Sequence, residues 1–343
     1  MRAFYTTLMA LAALACIALY RLHPLGLRWA AISLYGVALV AFLDTLIHFF
    51  TAYGRRSYLG CDISPWGIHY VQLRGGKGRI ALVAHDSLEM QRQNEFIARY
   101  RSRWRRFPVY GACTGELLIF RELEIPSLTP QEAKAALPYE LEYQFSWYNE
   151  NWVTTSVELA TDLSDTQALT RLMVVFMKKE ELDQQYNHLR RLGLSPQSIE
   201  LRATAIFRAA FPLLPPNLAD TLVIERLGEQ YICSRFHQRA LMLHHLFGSE
   251  YLTSLLQELQ GSNITCFQSL IYIDAEDNDN IAGELHDIQR VLLSADLLET
   301  NATVLSGENI LQHHFKDAGK ATSLTPRQVV ALGLALREVE DAV

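Results

Sequence analysis

The sequence predicts an α/β protein with two similar lobes around a central cleft, preceded by a two-helix transmembrane hairpin. Two observations carry this prediction. Apolar residues with very few charges concentrate at the amino end of the chain. Further along, three consecutive strand patterns followed by alternating helix and strand patterns occur twice, which indicates an internal duplication. The predicted domains are residues 1–57 for the hairpin, 58–212 for the first lobe, and 213–343 for the second lobe with a return helix.

The composition excludes several classes of function. The 343 residues include 31 Lys and Arg against 37 Asp and Glu, a net charge of −6, which argues against a nucleic-acid partner. The five cysteines are scattered and form no CxxC pair, so the sequence predicts neither a disulfide framework nor a zinc site. We expect a reducing compartment and no bound metal.

The predicted hairpin consists of two apolar runs, residues 4–20 and 28–50, joined by a short turn. Hydrocarbon offers the backbone no hydrogen-bond partner except its own helix, which favours two membrane-spanning helices. A cleaved signal peptide fits the first run alone, but the second run follows at once. Arg2, Arg55 and Arg56 on the outer ends weakly outnumber the arginines of the turn, which favours both ends and the main domain on the cytoplasmic side.

Two polar residues interrupt the second apolar run. Asp44 and His48 are four residues apart and therefore share one face of a helix. Contact with a partner's transmembrane helix and simple exposure at the membrane interface both account for this pair.

The first lobe begins with three short strands, predicted over residues 58–62, 67–74 and 79–87. A basic amphipathic helix follows, in which aromatic residues recur at helical spacing. A solvated helix face explains its basic residues, and contact with anionic lipid headgroups is the alternative. The candidates for the membrane contact are Arg99, Arg101, Arg103, Trp104, Arg105 and Arg106.

The next elements are a strand over 116–125 and a helix that begins with a capping box at Thr129 and is interrupted by Pro138. A hairpin over 152–160 and 168–177 precedes a helix over 179–192, a strand over 197–201 and a helix to Phe211.

The prolines and Asn217 within residues 212–217 interrupt regular secondary structure and mark the predicted boundary between the two lobes. Strands over 221–227, 230–236 and 239–245 begin the second lobe, and a further strand covers 270–274. Thr325 begins the last helix with a second capping box, and Gly333 within that helix indicates close backbone packing.

Five features in the same order give the chain a resemblance to a known family. They are the strand pair LGCDI at 59–63 and IHYVQL at 68–73, RELEIP at 121–126 with YELEY at 139–143, VVFMKK at 174–179, LGLSPQSIE at 192–200, and VALGLA at 330–335. They resemble the PilM-type actin-like proteins of type IV pilus assembly, which are related to the cytoplasmic domain of GspL in type II secretion. The resemblance implies an actin-like, duplicated ribonuclease-H-like fold, with an inserted subdomain at about residues 91–162.

In nucleotide-binding proteins of this kind, two loops beginning Asp-x-Gly hold the phosphates, and the resemblance locates the first at Asp62. Ser64 stands where the glycine belongs, and the following Pro65 has no N–H to offer. In the second loop, Ile224 is expected to replace the aspartate and Arg226 the glycine. The vestigial cleft is therefore predicted from Asp62, Ser64, Glu225 and Gly228, without ATP turnover and without a resident cofactor, although ATP and magnesium remain an alternative.

The predicted function is a scaffold anchored in the bacterial inner membrane that recruits components of a type IV pilus or type II secretion platform. By resemblance, its partner is a bitopic inner-membrane protein with a short cytoplasmic tail, similar to PilN. Other platform subunits and membrane lipid are further expected partners. Candidates for docking the tail, with core packing as the alternative for each, are Leu137, Tyr139, Glu142, Tyr143 and Phe145. The rival functions are a nucleotide-binding actin-like ATPase and a membrane-surface binding module.

Overall fold

The computed structural model describes residues 56–340, with gaps at 65–66, 77–78, 105–106, 127–129, 163–168, 217–219, 238, 249–265, 275–280 and 316–323. Asp44, His48, Pro65, Trp66, Arg105 and Arg106 lie outside the described residues.

The first lobe is built on a five-stranded sheet with the order β3-β2-β1-β4-β8. Its strands are β1 (Arg56–Ser64), β2 (Gly67–Gly76), β3 (Arg79–Glu89), β4 (Val109–Cys113) and β8 (Pro196–Leu201). β2 and β3 are antiparallel, whereas β4 is parallel to both β1 and β8. Helices α1 (Gln93–Trp104) and α3 (Lys179–Arg191) cover the outer face, where Phe96 and Leu189 join one apolar core.

Between β4 and α3 the chain forms the inserted subdomain, which covers residues 118–178 and not the predicted 91–162, because α1 and β4 belong to the first lobe. Strands β5 (Leu118–Pro126), β6 (Trp152–Asp162) and β7 (Leu169–Lys178) form an antiparallel sheet with the order β5-β7-β6. Helix α2 (Pro130–Gln144) packs on this sheet through the buried Leu141. α2 begins with proline at its first position, as predicted, but it continues through Pro138 as one helix.

The second lobe repeats the strand order of the first. Strands β9 (Asp220–Leu227), β10 (Gln230–His237) and β11 (Ala240–Gly248) form an antiparallel meander, and β12 (Phe267–Asp274) and β13 (Leu298–Ser306) extend the sheet in parallel. The order is β11-β10-β9-β12-β13, and helices α5 (Ile281–Ser294) and α6 (Gly307–Phe315) belong to the same lobe. The internal duplication predicted from the sequence is therefore observed.

Two helices, α4 (Arg202–Ala210) and α7 (Val329–Glu340), lie between the two sheets and share one core with both. They approach so closely that a Cβ atom on Gly333 would lie 1.8 Å from the carbonyl oxygen of Ala205. Gly60 of β1 makes a similar approach, since its Cβ would lie 1.9 Å from the carbonyl oxygen of Ala331. The close packing predicted at Gly333 is thus observed, and it fixes the position of α4.

The structure contradicts the predictions of a transmembrane hairpin and of a two-span membrane location. Across the described part of the chain, no helix is both long and apolar enough to cross a bilayer. The longest, α2, has 15 residues and is about 22 Å long, short of the roughly 30 Å hydrocarbon core. The segment for which the hairpin was predicted lies, but for its last two residues, outside the described residues.

Candidate functional site

The alternation of side chains along β1 directs Asp62 toward the central helices. Leu59 and Cys61 pack into the outer core with α1 and α3, whereas Tyr58 joins the core around α4 and α7. Successive residues of a strand point to opposite faces, so Asp62 shares the inner face with Tyr58. Asp62 is fully buried there.

The same alternation on β9 selects Glu225 as the second acid of the cleft. Leu222 and Ile224 pack into the outer core of the second lobe, whereas Val223 joins the central core. Glu225 therefore faces inward and is almost completely buried. The prediction that Ile224 takes the place of the cleft acid is wrong in this respect, because Ile224 points away from the cleft.

Arg202, the first residue of α4, connects these two carboxylates. Its Nη2 and Nε donate hydrogen bonds to Glu225 Oε1 at 2.5 and 3.0 Å, and Nε also reaches Glu225 Oε2 at 3.1 Å. Its Nη1 donates to Asp62 Oδ1. The Arg202 side chain is 4% exposed and both acids are buried. We call these three residues the interlobe triad, because one guanidinium joins an acid of each lobe.

The interlobe triad has one cation for two carboxylates. Burial opposes the charged guanidinium, but Asp62 and Glu225 together raise the pKa of Arg202 above its ordinary value, so it stays charged. Burial raises the pKa of Glu225, the Arg202 guanidinium opposes that rise, and the Asp62 carboxylate adds to it. Asp62 Oδ2 is buried and has no hydrogen-bond partner among the described residues.

The triad does not fit a magnesium-bound nucleotide. Such a ligand requires the acids to be free to hold a metal and its water, and it requires backbone N–H groups at the phosphates. Here the guanidinium occupies an oxygen of Asp62 and both oxygens of Glu225. The positive charge that a metal ion would bring to these carboxylates is supplied by the chain itself.

Arg226 follows Glu225 but points to the opposite face of the sheet. Its Nη1 donates to Glu284 Oε1 at 2.6 Å and to Asp274 Oδ2 at 3.4 Å, and its Nε donates to the carbonyl oxygen of Gly228 at 3.1 Å. The Tyr272 hydroxyl donates to the other Glu284 oxygen at 2.8 Å. This second cluster ties the end of β9 to α5, so Arg226 is not the residue that fills the interlobe cleft.

Ser64, at the end of β1, makes contacts of its own. Its hydroxyl lies 3.4 Å from Nε2 of the buried His69, whose Nδ1 lies 3.0 Å from the Ser87 hydroxyl. Of the four residues predicted for the vestigial cleft, the structure therefore joins Asp62 and Glu225 through Arg202. Gly228 belongs to the Arg226 cluster and has a positive φ of 65°.

His244 of β11 makes a further polar contact between the lobes. Its Nε2 lies 2.9 Å from the carbonyl oxygen of Thr114, and its Nδ1 lies 2.7 Å from the Ser234 hydroxyl. A carbonyl oxygen can only accept, so Nε2 carries the proton and Nδ1 accepts from Ser234. Burial lowers the pKa of His244 to about 4.

The five docking candidates on and after α2 divide into two groups. Tyr139 and Tyr143 are 76% and 87% exposed, and Glu142 is also exposed. Leu137 and Phe145 pack against the core of the inserted subdomain, where Phe145 meets the ring of Phe176 edge to face at 5.4 Å. The first group forms a surface, and the second group supports it.

The arginine-rich segment forms a helix, α1, as predicted. The side chains of Arg99, Arg101, Arg103 and Trp104 are not among those that the structure describes. Their contact with membrane lipid stays a prediction.

No protein-family model and no curated protein matches the sequence. Solved structures do match: a chain of the PilM-PilN type IV pilus biogenesis complex superposes with a TM-score of 0.59 at 16% identity, over 83% of this chain and 99% of that one. The chain has the fold of PilM. The resemblance predicted from the sequence motifs is thus confirmed as a likeness of fold.

Two more distant structures also match. The cytoplasmic domain of EpsL, an inner-membrane component of the type II secretion system of Vibrio cholerae, has a TM-score of 0.42 at 15% identity, over 64% of this chain and 82% of that domain. A Bacteroides thetaiotaomicron protein with an actin-like ATPase fold has a TM-score of 0.39 at 11% identity, over 74% of this chain and 91% of that one.

Sequence reasoning missed Arg202, the central residue of the cleft. The only signal was that an arginine begins a helix that is otherwise largely apolar. The eight helical residues after Arg202 are ATAIFRAA. That pattern indicates a buried cation in need of acids, but it does not identify the acids, which lie 140 and 23 residues away in sequence.

Proposed function

We propose that this chain is a recruiting scaffold of a type IV pilus or type II secretion platform that works without ATP turnover. Its inserted subdomain binds the short cytoplasmic tail of a bitopic, PilN-like inner-membrane protein. The fold supports this proposal, since the solved structure with the same fold belongs to a complex of PilM with PilN.

The exposed aromatic pair on α2 carries the proposal. Tyr139 and Tyr143 are four residues apart on a helix and therefore share one face. Both side chains are largely exposed to solvent, although a side chain as large as tyrosine usually buries most of its area. Tyrosine is enriched at the centres of protein interfaces because it offers a large rigid surface and a hydroxyl. Glu142 beside them supplies a charge that selects basic or amide groups in the tail.

The interlobe triad supports the absence of ATP turnover. Hydrolysis needs a metal held by cleft acids, and both acids are engaged by Arg202. The scaffold function does not need this chemistry, because recruitment depends only on the outer surface of the inserted subdomain.

A tail-binding measurement tests the proposal. The probe is a fluorescein-labelled peptide of the cytoplasmic tail of the PilN-like protein encoded by the same genome, titrated with the full chain by fluorescence anisotropy. We expect saturable binding that does not change with millimolar Mg-ATP. The double variant Tyr139→Ala/Tyr143→Ala should weaken binding by at least about tenfold, because two interface aromatics each contribute on the order of 1 kcal/mol or more.

Ile80→Ala is the matched control. Ile80 is another exposed apolar side chain, but it belongs to β3 of the first lobe. The tyrosine variants should keep the melting temperature of the natural protein, since neither side chain is part of a core. Equal binding by the natural protein and the double tyrosine variant would contradict docking on this face of α2.

A further inference from the structure

The interlobe triad connects three different parts of the fold. Asp62 comes from the sheet of the first lobe, Glu225 from the sheet of the second lobe, and Arg202 from α4, which packs between them. α4 contacts both sheets through its apolar residues as well: the ring of Phe207 stacks on Phe236 of β10 with centroids 4.2 Å apart. The triad is thus the charged part of a larger contact between the lobes.

The local sequence alone does not favour an arginine at this position. A cation at the first residue of a helix is opposed by the positive end of the helix dipole. Removing a guanidinium from water is also costly unless it is paired in good geometry. Arg202 makes four hydrogen bonds to carboxylate oxygens. Its position is therefore explained by the two acids that it joins and not by helix propensity.

The acids are arranged as ligands of a cation. Two carboxylates from neighbouring lobes converge on one point, and hard divalent cations prefer such oxygen ligands. One further oxygen, Asp62 Oδ2, is buried without a hydrogen-bond partner among the described residues. The pair therefore has the charge and oxygen donors for a cation, and the guanidinium occupies the place of that ion.

We propose that Arg202 is a built-in cation that clamps the two lobes together in the place of a bound metal and nucleotide. Removing its guanidinium converts the space between Asp62 and Glu225 into a divalent-cation site. The relation of the lobes is then fixed by the chain itself and does not respond to nucleotide. This inference is independent of tail docking, because the triad and the exposed face of α2 lie in different parts of the fold.

Hydrogen exchange of the full chain tests the clamp. In Arg202→Met, we expect faster amide exchange in both lobes at once, in the β1 segment around Asp62, in β9 and in the loop at Thr114 that His244 contacts. Arg208→Met is the matched control, because Arg208 lies on the same helix but pairs with Glu200 of β8 and the carbonyl of Gly333. In that control, faster exchange should be confined to α4, β8 and α7. The same confined pattern in Arg202→Met would overturn the clamp.

Manganese binding tests the cation replacement. In Arg202→Ala, millimolar Mn²⁺ should raise the melting temperature by several degrees, and Asp62→Asn in the same background should abolish this rise. The natural protein should show no rise. A rise in the natural protein, or no rise in a folded Arg202→Ala, would overturn the replacement.

Arg202→Lys provides a further test of the clamp in case Arg202→Met or Arg202→Ala fails to fold. Lysine preserves the charge but not the bidentate geometry. We expect the melting temperature of Arg202→Met to be lower than that of the natural protein by on the order of 10 °C. Arg202→Lys should fold with a melting temperature between these two values. Equal melting temperatures for Arg202→Lys, Arg202→Met and the natural protein would overturn the clamp, and so would failure of Arg202→Lys to fold when Arg202→Met folds.

Discussion

His244 shows how one buried side chain makes the stability of the fold depend on pH. Its ring is neutral because burial lowers its pKa to about 4, and the neutral ring both donates to Thr114 and accepts from Ser234. Protonation would make the Ser234 hydroxyl the acceptor of that hydrogen bond and would put a charge in a buried contact. Burial therefore favours the neutral ring, although the hydrogen bond to Thr114 by itself favours the protonated one.

The sign of the pH effect follows from this lowered pKa. The unfolded chain takes up the proton near pH 6.5, whereas the folded protein takes it up only near pH 4. We expect the free energy of unfolding to fall by up to about 3 kcal/mol between these values, with no further contribution above pH 7. Urea unfolding at pH 7.0, 5.5 and 4.5 measures it.

His244→Gln is the control for this pH effect, because the glutamine amide can still donate to Thr114 but does not titrate. Its profile should be flatter than that of the natural protein. A residual slope is expected from His314, whose pKa burial also lowers. Parallel profiles for the two proteins would show that His244 does not contribute.

Element by element, the parts predicted correctly are those whose pattern is local. The Gln328 half of the capping box at Thr325 is observed, because the Thr325 N–H donates to Gln328 Oε1 at 3.0 Å. The helix over 179–191 is followed by Gly193, which has a positive φ of 77°. β13 has no comparable signal. Its sequence, LETNATVLS, is polar at its centre, and it is a strand because it pairs with β12.

The packing of α4 against α7 gives a prediction at the level of helices. Gly333→Ala places a methyl group 1.8 Å from the Ala205 carbonyl oxygen, so the two helices must separate. We expect a loss of roughly 2 kcal/mol or more in the free energy of unfolding, because overpacking outweighs the gain of about 1 kcal/mol in helix propensity. Chemical denaturation measures the loss.

Gly283→Ala, within α5, measures the propensity gain of a helical glycine outside this helix pair. It should leave the stability unchanged or increase it. A Gly333→Ala protein as stable as the Gly283→Ala protein would contradict the close approach.

For the whole molecule, the duplication was predictable, but the cleft was predictable only in part: Asp62 and Glu225 were named from the sequence, and Arg202 was not. Strand and helix order repeats along the chain, so two lobes follow from periodicity alone. The cleft depends instead on which residue of each strand faces inward, and a shift of one position exchanges Ile224 for Glu225. The residue between the lobes, Arg202, comes from a third element. Its pairing with Asp62 spans 140 positions, and no local pattern reports such a contact.

Because Arg202 binds both acids of the cleft, we expect that nucleotide does not stabilise the protein. A ligand bound at a hundred times its dissociation constant adds about 2.7 kcal/mol to the free energy of unfolding, which corresponds to several degrees in melting temperature. With both cleft acids held by Arg202, we expect millimolar Mg-ATP to cause no such shift in differential scanning fluorimetry at pH 7.5. Magnesium chloride alone is the control for ionic effects. A rise of several degrees in melting temperature with Mg-ATP, but not with magnesium chloride, would show that the triad opens to admit nucleotide. Release of phosphate in the same sample would show that the protein is an ATPase and would contradict a scaffold without ATP turnover.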